Sequence, residues 1–139
     1  MRKQLEEKIY AYAQGYPDAK TAPIVTLEDF FEGNNDEGSI GCNLMDHPGV
    51  EKFYDVLLRI RNKDNVQDVL VEIMELEDDE EYWAFSERIY VITSVNESLL
   101  GSWVTDLEPS EIDEGYAFGE PPNAPSLLPE YKVYSIWWD

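Results

Sequence analysis

The chain has 139 residues, of which 43% are hydrophobic, a size and composition that favour one globular domain over residues 1–139 and exclude wholesale disorder. Its formal net charge is −20, and a negative field of this size repels nucleic acids and anionic membranes. No apolar run is long enough to span a membrane and the charged N-terminus does not resemble a signal peptide, so we expect a cytoplasmic protein.

The N-terminal third begins with a predicted helix and contains two short predicted strands. Residues 2–16 carry Leu5 and Ile9 at helical spacing, which indicates an amphipathic helix. Residues 23–26 predict an edge strand, because the proline cannot donate a hydrogen bond inside a sheet. Residues 39–43 predict another strand, whose glycine indicates a bulge or a close approach of two backbones.

Three helix starts carry capping patterns: Thr26 with Asp29, Asp46 or His47 before Pro48, and Ser94 with Glu97. The second start precedes the best amphipathic pattern in the chain, which includes Phe53 and Leu57. The third precedes a helix that includes Leu99 and Trp103 and that Pro109 ends. These patterns predict a short helix and two longer ones.

A central hairpin is predicted from residues 66–76 and 86–93, which alternate with a period of two. Both faces of each run are apolar, so we expect a central position with helices over at least one face. Between the two runs lies an acidic tip, residues 77–81, and Trp83 follows it directly. Val69, Val71, Ile73, Ile89 and Val91 are expected to form the sheet core with Phe53, Leu57 and Trp103.

The C-terminal part predicts an irregular segment and a last strand. Residues 115–118 suggest a brief strand, and residues 120–130 contain four prolines, which predicts an extended surface strap. Residues 132–138 alternate and predict the final strand. The fold class is therefore α+β, a mainly antiparallel sheet of about five strands with three principal helices packed on it.

Catalytic and metal sites receive little support from the sequence. Cys42 and His47 could form a nucleophile and a base, but we favour a small buried thiol and a structural histidine. Asp36 and Glu37 are weak candidates for a divalent cation, because the surrounding spacing does not match a calcium loop. No cofactor motif is present, and we expect no cofactor.

The acidic charge is uneven along the chain. Residues 64–139 hold nineteen acidic and two basic side chains, a formal charge of −17. Carboxylates can steer a basic protein and an aromatic ring can anchor it. The site expected to bind such a partner consists of Glu77, Asp78, Asp79, Glu80, Glu81 and Trp83. A surface that is acidic only for solubility is the alternative explanation.

The leading hypothesis is therefore a non-catalytic acidic binding protein that engages a basic protein. One alternative is a small enzyme or divalent-metal-binding protein that uses residues 34–47. Another alternative is a self-associating structural protein. The sequence leaves the oligomeric state open.

Three stretches carry a resemblance: residues 23–44, residues 83–86 and the terminal Trp-Trp-Asp of residues 137–139. Through them the chain resembles a family of small acidic bacterial proteins of unknown function. The resemblance implies a bacterial, cytoplasmic setting and no catalytic residue. The size and acidity are also similar to those of immunity proteins of bacterial toxin systems, which implies toxin neutralisation as one form of the binding function.

Overall fold

The fold, seen in a computed structural model that describes residues 2–76, 79 and 81–139, is one antiparallel sheet with helices on one face. The helices are α1 (Arg2–Gly15), α2 (Leu27–Phe31), α3 (Val50–Arg61) and α4 (Glu97–Trp103). The strands are β1 (Ile24–Thr26), β2 (Val66–Glu72), β3 (Arg88–Thr93), β4 (Glu111–Glu114) and β5 (Lys132–Trp137). Their order across the sheet is β1-β2-β3-β5-β4, which confirms the predicted α+β class. None of the helices in these described residues is long and apolar enough to cross a membrane.

The predicted hairpin lies at the centre of the sheet. β2 and β3 pair antiparallel with Val69 opposite Val91 and Leu70 opposite Tyr90. Past the ends of the strands, an isolated bridge between Glu75 and Phe85 carries the pairing towards the acidic tip. β5 follows on the other side of β3, so both predicted central strands have two neighbours.

One face of the sheet, here called the helical face, carries the main core. Phe53 and Leu57 of α3 are fully buried there, and Trp103 packs against the same core while partly exposed. The sheet contributes Val69, Val71, Ile73, Ile89, Val91, Tyr134 and Ile136. The predicted sheet core and its alternation are therefore confirmed.

The opposite face, here called the strap face, is covered by chain without helix or strand. The apolar residues buried on it are Ile24, Leu70, Tyr90, Ile92 and Val133, against which Tyr116, Ala124 and Tyr131 pack. Side-chain amides hold the strap, residues 120–130, in place. Gln67 Nε2 donates to the Ser126 carbonyl at 2.8 Å, and Asn123 Nδ2 donates to the Ile24 carbonyl at 3.3 Å.

The strand predicted at residues 39–43 is wrong. A 3-10 turn, Glu37–Ser39, precedes Gly41, which has a φ of +64° that a strand does not tolerate. A Cβ at Gly41 would lie 2.7 Å from Phe53 Cζ, so the close neighbour of this glycine is a side chain and not the second backbone that was expected.

The fifth strand comes instead from β4, which the sequence did not predict. Of its four residues only Ile112 is apolar, because β4 is an edge strand whose other side chains are exposed. Residues 115–118 form no strand, since only an isolated bridge joins Ala117 to Gly119.

The capping predictions have mixed outcomes. The box at α2 is confirmed, with the Asp29 amide donating to Thr26 Oγ1 at 3.1 Å. At α3 the prediction is wrong, because Gly49 occupies the N-cap position without a side-chain bond. At α4 the cap is Asn96 and not Ser94: Asn96 Oδ1 accepts from the Leu99 amide at 2.9 Å. Asparagine is at least as good a cap as serine.

Candidate functional site

The second half of the chain supplies almost no positive charge of its own to its acidic surface. Of its two basic residues, Arg88 is buried and paired with Glu72. Lys132 is thus the one base that this half exposes, and its Nζ lies 3.5 Å from the Glu114 carboxylate. Because the buried pair is neutral as a unit, the formal charge of −17 belongs to the remaining side chains of residues 64–139.

Only part of the predicted binding site lies among the described residues. Asp79 and Glu81 are exposed, and the Glu81 amide donates to Asp79 Oδ1 at 2.9 Å. Arg2 reaches this region from α1, with its Nε donating to the Tyr82 carbonyl at 2.8 Å. Glu77, Asp78 and Glu80 lie outside the described residues.

Trp83, the predicted aromatic anchor, is not on the surface. Its side chain is only 8% exposed and belongs to the helical-face core. The Trp83 amide donates to Asp36 Oδ2 at 3.0 Å, so the chain turns inwards directly after the acidic tip. The prediction of an exposed anchor at Trp83 is therefore wrong, and the exposed ring next to the tip is Tyr82.

The loop at residues 34–39 is organised by hydrogen bonds from backbone amides to the Asp36 carboxylate. Asp36 Oδ1 accepts from the Gly38 amide at 3.0 Å while Oδ2 accepts from Trp83, so both oxygens have a structural function. Glu37 is exposed. Over residues 2–76, 79 and 81–139, no three His, Cys, Asp or Glu side chains gather in a way that could hold a metal ion.

Cys42 and His47 line one open cavity of about 510 Å³, but they do not form a catalytic pair. Cys42 is exposed, so the expected buried thiol is wrong, because residue 42 follows a turn and not a strand. His47 Nδ1 accepts from the Gly49 amide at 2.9 Å, which leaves the proton on Nε2, 2.7 Å from the Ile40 carbonyl. Both ring nitrogens are bound to backbone, so the imidazole is not free to act as a base for the thiol.

A buried polar cluster on the strap face was not predicted. Glu72 and Arg88, which are 2% and 1% exposed, pair at 2.5 Å across β2 and β3. The Tyr90 hydroxyl donates to the other carboxylate oxygen of Glu72. Burial, and then this bond to Glu72, raise the pKa of Tyr90 above its ordinary range. Trp137 of β5 stacks on the guanidinium, with the ring centroid 3.6 Å from Arg88 Cζ. The sequence signal was an acidic and a basic residue of opposite charge at the facing ends of two largely buried strands.

A second cavity, here called the β1 cavity, has a volume of about 340 Å³ and lies between α1, β1, β2 and the strap. Its charged lining residues are Lys8, Asp29 and Asp68. Lys8 Nζ contacts both Asp29 oxygens at 2.7 Å, so these two charges cancel. Burial raises the pKa of Asp68, although the Val69 amide donates to its Oδ1 at 2.8 Å. Among the described residues, none forms an ion pair with Asp68.

These features define a small acidic α+β domain with a neutral buried ion pair and an acidic surface. The chain belongs to the family described as "Uncharacterized protein YfbO family", whose model matches residues 2–136. It is similar to "Uncharacterized protein YfbO" of Escherichia coli (strain K12), with 37% identity over 118 residues, which cover 84% of this chain and 83% of the relative. The predicted resemblance to a bacterial family is thereby confirmed. No solved structure matches the chain.

Proposed function

We propose that this protein is a non-catalytic cytoplasmic binding protein whose acidic surface engages a basic protein partner. The main supporting observation is that residues 64–139 have a formal charge of −17, and that Lys132 is the one basic side chain they expose. Such a field accelerates the encounter with a positively charged surface and repels acidic competitors.

The edge strand β4 supports this proposal independently of the acidic tip. Glu111, Asp113 and Glu114 are all exposed on β4, which is the last strand of the sheet. Two copies of the chain that paired through this edge would bring like charges together, so the edge opposes self-association. A basic partner would meet the opposite, favourable charge pattern there.

Toxin neutralisation is the finer form of the proposal. A protein that covers a basic toxin gains association rate from its net negative charge, and it needs no catalytic residue for this role. The small size, the charge of −20 and the lack of a free histidine base beside Cys42 support that form over a small enzyme.

In the test, the partner is captured by crosslinking in the bacterial cell, identified and purified. Surface plasmon resonance then measures its association rate with this protein and its variants. One variant neutralises β4 through Glu111→Gln, Asp113→Asn and Glu114→Gln. A second variant replaces the five acids of the tip, residues 77–81, in the same way. The matched control neutralises two glutamates and one aspartate that are exposed in the first half of the chain: Glu7→Gln, Glu32→Gln and Asp55→Asn.

We expect at least one of the first two variants to associate about tenfold more slowly at low salt, with the control changed much less. The difference should shrink as the Debye length falls to about 8 Å near physiological salt. A partner that is not basic, or association rates that are equal in all three variants, would refute the proposal.

A further inference from the structure

The β1 cavity has the size and lining of a ligand site. Its volume of about 340 Å³ falls in the range of roughly 300–1,000 Å³ that is common for such sites. Apolar groups of Ile24, Leu70 and Pro125 form part of its wall, and Asn123 lines it from the strap. A long side chain with an aliphatic stem fits a cavity of this volume with an apolar wall.

Asp68 gives the cavity an unmatched negative charge. Its pKa is raised chiefly by burial, so the ionised carboxylate is held in a place that disfavours it. Nearby cations offset this penalty only in part: Arg61 lowers the pKa of Asp68 but is itself bound to Glu28 at 2.7 and 2.5 Å, and Lys8 is bound to Asp29. A cation that entered the cavity would remove this penalty and gain a charge-assisted hydrogen bond.

We propose that the β1 cavity binds an arginine side chain of the basic partner, with the guanidinium on Asp68 and the aliphatic stem against Ile24 and Leu70. This rests on the proposed function in that the cation belongs to the partner. Arginine fits better than lysine, because its planar group donates several hydrogen bonds in fixed directions and is more weakly hydrated than an ammonium group.

The test is a titration of the whole, isotope-labelled protein with N-acetyl-arginine amide, followed by amide NMR shifts. N-acetyl-norleucine amide provides the uncharged control ligand. The variant Asp68→Asn keeps an oxygen that can accept from the Val69 amide, so its spectrum away from the cavity should be unchanged. Asp64→Asn is the matched control variant, because Asp64 is exposed and does not line the cavity.

We expect the arginine derivative to shift amides around Leu70 and Thr26, and Asp68→Asn to weaken its binding about tenfold while Asp64→Asn leaves it unchanged. Equal binding to both variants, equal effects of the two ligands, or shifts confined to other surfaces would overturn the proposal. The titration contains no partner, so the two proposals can fail separately. If the arginine derivative does not bind but the association of the partner depends on salt, only the cavity proposal is refuted. If the derivative binds but the association of the partner is insensitive to salt, only the proposed function is refuted.

Discussion

Removing either charge of the buried Glu72–Arg88 pair should strongly destabilise the fold. In Arg88→Met the remaining stem can still pack on Trp137, but the Glu72 carboxylate stays 2% exposed with the Tyr90 hydroxyl as its remaining side-chain donor. In Glu72→Gln the guanidinium stays buried without its counter-charge. Breaking a buried pair in this way typically costs about 3–5 kcal/mol.

The double variant should lose less than the two single losses added together. Neither charge then remains buried, so we expect a coupling energy of roughly 2–3 kcal/mol between Glu72 and Arg88. With a urea dependence of about 2 kcal/mol per molar, a single loss of about 4 kcal/mol moves the unfolding midpoint by about 2 M. This is a large fraction of the stability of an ordinary domain.

The assay is reversible urea unfolding followed by tryptophan fluorescence for the wild type, both single variants and the double variant. Arg61→Met serves as the matched control, because Arg61 also binds a glutamate through two contacts but does so at a partly exposed site. We expect that control to lose no more than about 1 kcal/mol. Single losses at Glu72 and Arg88 that are equally small, or losses that simply add, would refute the reasoning.

Two further predictions concern the core and the pH dependence of stability. Leu57→Ala should lower the free energy of unfolding by about 2–5 kcal/mol in a reversible melt, since Leu57 is fully buried. The control Leu99→Ala, at a side chain that is 45% exposed, should lower it much less. Equal losses in the two variants would contradict the packing of α3. Because the pKa of Asp68 is raised in the folded state, its contribution to stability is present below the unfolded pKa of about 3.9 and is lost as the pH rises through the folded pKa. We therefore expect Asp68→Asn to be more stable than wild type at neutral pH. This gain in stability should disappear in acid. A variant that is less stable at pH 7 in urea titrations would contradict the absence of a cation partner for Asp68 among the described residues.

The elements that the sequence predicts well are those in which burial controls the pattern. The central strands β2 and β3 carry apolar residues on both faces because both faces of the sheet are covered. The box at Thr26 is equally local, since its two bonds join residues three apart. Neither feature depends on knowing the rest of the fold.

The features that the sequence misses depend on contacts between distant residues. Trp83 packs in the helical-face core, and its amide is bound by the carboxylate of Asp36, 47 positions earlier; nothing near Trp83 in the chain signals these contacts. β4 has an acidic composition that is ordinary for a loop, and it becomes a strand because β5 offers it a partner edge. The β1 cavity likewise joins Asp68 to α1 and the strap, which are far apart in sequence.

The cross-strand row of the buried pair also has a consequence for how the sheet assembles. Glu72, Arg88 and Trp137 stand opposite one another on three neighbouring strands. If β3 slipped by one residue, its side chains would exchange faces, and Arg88 would lie among aliphatic groups of the helical face without an acid. The slipped pairing would therefore bury an unpaired charge in the core. The row of Glu72, Arg88 and Trp137 thus destabilises wrong registers during folding and stabilises the native register.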